Sequence, residues 1–382
     1  MIKGKKALVK NTFLPKLLIN KSALEYNIQL IKNKTEHKCK ILGICKANAY
    51  GHGLESLIDV LSLCDGLGVA RLNEAILLRN KGYHRKIVLL SELINQDNLL
   101  LAARYQLDIV IYSMSQLYLL DDVTVDYQYV VWLKVDTGMT RLGVSVEDFK
   151  GIYDKLMHHA KVKQVILMSH FADSELAYVG NSHLQLQLFK NITDNFENEK
   201  SIANSGGLML NQNSFFDWVR PGISLFGVLG TSYMTRVQLG LKQVMTLIAY
   251  VIKIQKVKVG QSVGYNHLWI ANKDTLIAII NIGYADGYPA QVNSDTKVLI
   301  NDRFYPIVGR ISMNMLTIDL SDNPHGVQVE DTVILWGEKL PIELISEQSG
   351  NHVYHLLTNI SGKGQTVYYR VNHSDSIELS SV

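Results

Sequence analysis

The chain has 382 residues, 47% of them hydrophobic and 19% charged, with a formal net charge of +3. That length exceeds what a single core usually fills, so two domains are expected; the composition excludes disorder, and the weak, scattered positive charge excludes a nucleic-acid track. The longest apolar stretch, residues 244–252, is too short to span a bilayer, the early Lys3, Lys5, Lys6 and Lys10 lead into no apolar core, and the three cysteines make neither a disulfide framework nor a zinc set, so a cytoplasmic chain without membrane or metal is expected.

Short apolar runs at 40–44, 67–70, 86–90, 108–112, 130–135, 165–168, 201–203 and 218–219 read as strands. Stretches of helical periodicity at 54–63, 72–79, 98–103 and 184–196 fall between them. Eight strands alternating with helices predict a (β/α)8 barrel of the TIM type. After about residue 241 the runs at 244–257, 275–284, 297–300, 305–308, 316–320 and 332–335 are separated by turn residues, which predicts a mainly β domain. The expected chain is therefore α/β plus all-β: a TIM-like barrel over 1–241, then a C-terminal β domain over 242–382.

In such a barrel the functional groups gather where strands end. Here those ends read Lys46, Arg71, Glu92, Ser113, Arg141, His170, Asn204 with Ser205, and Arg220 with Gly222. A lysine at the end of a buried strand either snorkels to water or is held partly neutral, as a nucleophile or base. After the seventh and eighth strands, "ANSGG" (203–207) and "VRPGI" (219–223) offer small residues and the backbone amides of Gly222 and Ile223. Each segment alone reads as a tight turn, whereas together they suit a phosphate. A lysine amine opposite a phosphate clamp points to pyridoxal 5′-phosphate.

The motifs "KANAYGHG" (46–53), "KVDTGMTRLG" (134–143), "SHFA" (169–172), "ANSGG", "VRPGISLFG" (219–227), "IGYADGYP" (282–289) and "VGRISMNML" (308–316) resemble, in order, those of the alanine racemase family of fold-type III pyridoxal-phosphate enzymes. The resemblance implies that Lys46 carries the cofactor as a Schiff base and moves the α-proton on one face of the substrate. It implies that Tyr265, in "SVGYN", acts on the other face and comes from the second subunit of a homodimer. By the same resemblance Arg220 faces the pyridine nitrogen, to which a guanidinium can only donate. His170 hydrogen-bonds the catalytic tyrosine and is positioned by Arg220. Arg141 contacts the cofactor's phenolic oxygen and the substrate carboxylate. Lys134 is carbamylated in the family and orients that arginine, although as an ordinary strand lysine it would need no modification. Tyr50, Ser205, Gly222, Ile223 and Tyr354 match the phosphate-holding set, with Asn204 beside them among the cofactor-binding residues. Tyr284 and Met313 match partner-subunit groups that narrow the substrate pocket.

Three places depart from the family pattern. Asn314 stands where an aspartate is usual, so a charge is lost near the carboxylate site. Glu175 replaces an aspartate at the entrance, and "SGKGQTVYYR" (361–370) replaces an arginine-rich run, with Lys363 in place of one arginine. The activity implied is interconversion of L- and D-alanine, supplying D-alanine for peptidoglycan, with a small amino acid as the partner and neither nucleic acid nor membrane. A serine or broad-specificity racemase on the same frame is the nearest rival. A non-catalytic pyridoxal-phosphate carrier would lack the β domain. A fold-type III decarboxylase would call for a late cysteine, and all three here precede Asp65.

Overall fold

In the computed structural model, which describes residues 13–93, 95–174, 181–230, 233–371 and 377–380, the chain forms two units. One runs from Asn20 to Val244, and the other joins the described residues up to Ile19 with those from Met245 onward.

After β1 (Lys16–Asn20), the first unit carries β2 (Lys40–Ile44), β3 (Gly66–Val69), β4 (Lys86–Leu89), β5 (Asp108–Ile111), β6 (Tyr129–Lys134), β7 (Val162–Met168), β8 (Lys200–Ser201) and β9 (Trp218–Val219). The apolar runs become strands because both of their faces are covered, as in Leu67, Val69, Ile87, Leu89, Ile109 and Ile111. They pair in parallel in the order β8-β7-β6-β5-β4-β3-β2-β9. The two end strands are bridged by the Arg220 N–H donating to the Ala203 carbonyl (2.9 Å) and by Ser201 Oγ donating to the Trp218 carbonyl (2.7 Å). This is the nearly closed eight-stranded barrel that the alternation of runs predicts.

Its N-terminal mouth is filled by Trp132 and Trp218, packed edge to face at 5.5 Å. Trp132 Nε1 donates to Asp108 Oδ2 at 3.0 Å and Trp218 Nε1 to Glu199 Oε2 at 2.8 Å, so neither buried indole is left unpaired. Lys86 adds an ion pair to Asp108 at 2.5 Å. The polar strand ends at the opposite mouth are the ones left for chemistry.

The second unit contains β10 (Met245–Val257), β11 (Ser262–Val263), β12 (Trp269–Ile270), β13 (Thr275–Ile280), β14 (Lys297–Ile300), β15 (Arg303–Val308), β16 (Leu316–Ser321), β17 (Thr332–Trp336), β18 (Gln365–Val371) and β19 (Ile377–Ser380). Antiparallel pairing runs β13-β16-β15-β14-β17-β10 and closes through β10 and β13, giving a six-stranded ring. β10 closes it because of its length: Leu247–Tyr250 faces β17, while Val251–Val257 turns past a register irregularity onto β13. β1 also pairs with β10, Leu17 opposite Leu247, and the burial of Leu17 and Ile19 alternates with half-buried neighbours. Lys16–Ile19, which the sequence reading groups with the barrel, thus lies in the β unit. Two short helices, Ile342–Ser349 and Val353–Asn359, stand within this otherwise β region. Among the described residues no helix is long and apolar enough to cross a membrane.

Candidate active site

β2 delivers its chain into an unusual turn. After Ile44, the Cys45 N–H donates to the Gly68 carbonyl of β3 at 3.0 Å, and then Ala47, Asn48, Ala49 and Tyr50 all take left-handed φ of 54°, 54°, 54° and 51°. Each such non-glycine residue costs about 1–2 kcal/mol, so the turn must be held by its surroundings. The Ala49 N–H donates to the Cys45 carbonyl (2.9 Å) and the Gly51 N–H to the Ala47 carbonyl (3.0 Å). Asn48 Oδ1 accepts from the Leu54 N–H at 2.8 Å, and Glu74 Oε1 accepts from the Asn48 N–H at 3.1 Å. Lys46 opens this turn, half-buried, and burial lowers its pKa, with Arg141 acting in the same direction and Glu74 opposing.

The end of β9 carries Arg220, only 3% exposed. Its guanidinium donates to Ser201 Oγ, to the Ser169 carbonyl, to the Ile202 carbonyl at 3.3 Å and to His170 Nδ1 at 3.2 Å. Burial draws Arg220 down to about 9, which leaves it charged at neutral pH. Because a guanidinium can only donate, His170 Nδ1 is an acceptor and the ring proton sits on Nε2. Burial first, and then the neighbouring Arg220, hold His170 well below its usual pKa, so the ring is neutral.

Lys134 ends β6, 7% exposed, and its pKa is pushed down to about 8 by burial, then by the charges of Arg220 and Arg141, with Lys46 adding a smaller push and Asp136 resisting. A buried ammonium among three other cations is an unfavourable arrangement. Arg141 is exposed at the end of a loop that Asp136 shapes by accepting the N–H groups of Gly138, Met139 and Thr140 at 2.8, 3.0 and 3.1 Å.

Ser205 Oγ accepts from the Gly222 N–H (2.9 Å), the Ser224 N–H (3.2 Å) and Ser224 Oγ (3.0 Å). With its lone pairs so engaged, the hydroxyl has only its own proton left to give, which suits an anion. The Gly222 amide, expected from the sequence to be free, is engaged by Ser205. A Cβ on Gly222 would stand 2.3 Å from Tyr50 Oη, so glycine is required there by the close approach of the phenol. Asn204 Oδ1 caps the following turn by accepting the Gly207 N–H at 3.0 Å and also accepts from Ser174 Oγ. Ile223 is buried next to this cluster.

The first unit therefore brings together the strand ends of β2, β6, β7, β8 and β9. Arg71, Glu92 and Ser113 are engaged among neighbouring loops instead: Glu92, after β4, accepts the Leu72 N–H at 2.6 Å and meets Arg71 at 3.5 Å in the loop after β3, and Ser113 Oγ meets Ser115 Oγ at 2.9 Å. Sequence reasoning passed over Ser201, Ser224 and Gln185. Gln185 donates to the His170 carbonyl (3.1 Å) and accepts from the Ala172 N–H (2.9 Å), bracketing the histidine. A serine inside a buried strand and a glutamine on a buried helix face were the available signals.

In the second unit Tyr265 is 66% exposed and Met313 60% exposed. The Tyr284 N–H donates to the Ser312 carbonyl (3.1 Å) and the Ala285 N–H to the Met313 carbonyl (2.8 Å), tying two loops together. Asn314 Nδ2 donates to both oxygens of Asp286 (3.1 and 3.2 Å), whose Oδ2 also accepts the Gly283 N–H at 2.9 Å. Asn314 thus acts as a donor to a carboxylate, a role an aspartate could not fill. Tyr354 lies half-buried on the helix Val353–Asn359, and Lys363 donates to Asn359 Oδ1 at 3.2 Å. Glu175 lies outside the described residues.

A desolvated amine, a buried donor-only arginine with a neutral histidine, and an anion cradle on the C-terminal mouth of a (β/α)8 barrel define a barrel enzyme of amine chemistry, here followed by an antiparallel β unit. The family profile for the alanine racemase N-terminal domain matches residues 19–230, and that for the C-terminal domain matches 244–368. An alanine racemase from Pasteurella multocida is 41% identical over 352 residues, spanning 92% of this chain and 97% of its own. The crystal structure of biosynthetic alanine racemase from Pseudomonas aeruginosa superposes with a TM-score of 0.89 at 34% identity, over 93% of this chain and 99% of its own. Alanine racemase from Bartonella henselae, solved with covalently bound pyridoxal phosphate, gives 0.84 at 27% identity over 93% and 99%. The chain belongs to the alanine racemase family and is an isomerase.

Proposed function

We propose that the chain racemises alanine with pyridoxal 5′-phosphate held on Lys46. The donor set fits that group: Ser205 is left with a proton to give, Gly222 leaves room beside Tyr50 Oη, Arg220 is a donor without acceptor capacity, and Lys46 is an amine of lowered pKa. Bound there, the cofactor supplies an electron sink that acidifies the substrate α-carbon.

Lys46 takes or returns the α-proton on one face, and its burial, with Arg141 nearby, shifts it in the direction that favours the proton-accepting amine. Tyr265 of the partner subunit serves the opposite face, since one base would have to cross the plane of the reacting carbon. His170, with its proton on Nε2, presents a donor for that phenol. Arg220, able only to donate, would leave the nitrogen of a bound pyridine ring without a proton, which would weaken the sink and limit side reactions. Arg141 holds the substrate carboxylate, with Tyr284 and Met313 narrowing the space. Tyr50, Asn204, Ser205 and Ile223 of the barrel would hold the phosphate end, with Gly222 leaving room beside Tyr50 Oη. Carbamylation of Lys134 would place an anion among Arg220, Arg141 and Lys46 where an ammonium is disfavoured. The exposed Tyr265, Leu268, Ile270, Tyr284, Met313 and Met315 support a homodimer that covers them. The product D-alanine would feed peptidoglycan synthesis in the cytoplasm.

The observation that carries the reading is the desolvated Lys46 in the same barrel mouth as the Ser205–Gly222 cradle and Arg220. Circular dichroism of L-alanine and L-serine solutions, followed in parallel with the cofactor-loaded protein, tests it. Loss of optical activity with a higher kcat/KM for alanine is expected. Faster loss with serine, or none with either, would overturn the substrate assignment.

A further inference from the structure

We infer that His52 is a positioning residue for Lys46, holding the left-handed turn through one ring N–H shared between two carbonyls; the inference rests on Lys46 as the cofactor-bearing lysine. His52 is fully enclosed, with Nδ1 at 3.0 Å from the Ala49 carbonyl and 2.9 Å from the Tyr50 carbonyl. Carbonyls only accept, so the proton is on Nδ1 and Nε2 is left as an acceptor. That Nε2 is buried and has no hydrogen-bond partner among the described residues. Burial pushes the ring down to about 4, so it is neutral at physiological pH.

An enclosed acceptor without a partner is destabilising, and an apolar ring would fill the same space without that defect. What imidazole adds is the Nδ1 donor, and both of its acceptors belong to the strained run Ala47–Tyr50. The same ring stacks on Phe226 at 4.3 Å, and Phe226 in turn meets Tyr50 at 5.4 Å. His52 therefore secures the far end of the turn, Glu74 secures its middle through the Asn48 N–H, and Lys46 and Tyr50 are fixed at its two ends. Without the donor the run is free to relax toward ordinary φ, which turns Lys46 away from its place and lifts Tyr50 from Gly222.

The test compares His52→Phe, which keeps the ring and deletes the donor, with His52→Asn, whose Nδ2 can reach where Nδ1 stood. In the cofactor-free full chain, hydrogen exchange at the amides of Ala49, Gly51 and Gly53 should quicken about tenfold in His52→Phe, the value of one net hydrogen bond. The rate at which pyridoxal phosphate is captured, read by visible absorbance, should fall by a similar factor, and His52→Asn should recover most of both. Unchanged exchange and capture in a folded His52→Phe, or an asparagine variant no better than the phenylalanine one, would overturn the inference. In the wild type, nitrogen NMR should find the Nδ1–H tautomer at His52; the Nε2–H tautomer would also overturn it, whether or not the variants fold. Borohydride reduction and peptide mapping of the wild type separate the two levels: a label on another lysine defeats the cofactor assignment, while the exchange and tautomer data still judge the turn.

Discussion

His52 titrates near 6.5 in an unfolded chain and only at about 4 in the fold. Above pH 6.5 both states are neutral and the group does not affect stability. As pH falls through 6.5 the unfolded chain binds a proton that the folded chain refuses until about 4, so stability is lost across that window, by about 2 kcal/mol at pH 5. Urea unfolding at pH 7 and pH 5 should show wild type losing about 2 kcal/mol more than His52→Phe over that interval; equal losses would contradict the buried, neutral assignment. Lys134 behaves in the opposite pH range. With a folded pKa of about 8 its ammonium is disfavoured below pH 8 by about 3 kcal/mol, a penalty relieved as pH rises toward 10.5. Carbon dioxide adding to the neutral amine would remove the penalty, so 13C-bicarbonate should give a carbamate resonance in wild type that is absent from Lys134→Met. A resonance that survives the substitution would assign the carbamate elsewhere. The lysine at the end of β2 was legible because a charged residue closing an apolar run is conspicuous. The handedness of the turn after it was not, since Ala47, Asn48, Ala49 and Tyr50 include no glycine to announce positive φ.

At the scale of elements, the loop after β9 and the turn after β2 meet through Gly222 and Tyr50. A Cβ at Gly222 would lie 2.3 Å from Tyr50 Oη and 3.1 Å from Cζ, so removing the oxygen removes the worst clash. Gly222→Ala should weaken cofactor binding about 10- to 100-fold, the range overpacking produces. Tyr50→Phe should weaken it about fivefold through one lost hydrogen bond. In an absorbance titration the double variant should bind more tightly than the product of the two effects allows, whereas simple additivity would show that the two residues do not share the site. The barrel strands were readable because parallel strands are buried on both faces and appear as continuous apolar runs. The helices Lys21–Lys34, Met114–Asp122 and Val146–Met157 stand between strands as the alternation requires, their buried positions, such as Leu24, Ile28 and Ile31, set among polar residues. β1 escaped because its partner β10 follows more than two hundred residues later, and local pattern carries no record of that pairing.

For the whole molecule, the family motifs were legible along most of the chain, but the pairing of one copy with another is a property of assembly that local sequence pattern does not record. Lys46 belongs to one unit, and Tyr265, with Tyr284 and Met313, to the other. If the second set serves the partner's barrel, mixing inactive Lys46→Ala and Tyr265→Phe chains should restore activity at one of the two sites of the mixed dimer. No recovery under proven subunit exchange would place both groups in one chain. The central claim, that two opposed groups move the α-proton, is tested most directly by deuterium wash-in from heavy water with the cofactor-loaded Tyr265→Phe protein. Exchange into L-alanine, served by Tyr265, should fall on the order of 10²–10⁴-fold, the usual contribution of a positioned acid or base, while exchange into D-alanine through Lys46 falls far less. Exchange that stays near wild type for both enantiomers, or drops equally for both, would contradict the account and leave Tyr265 as a wall of the pocket.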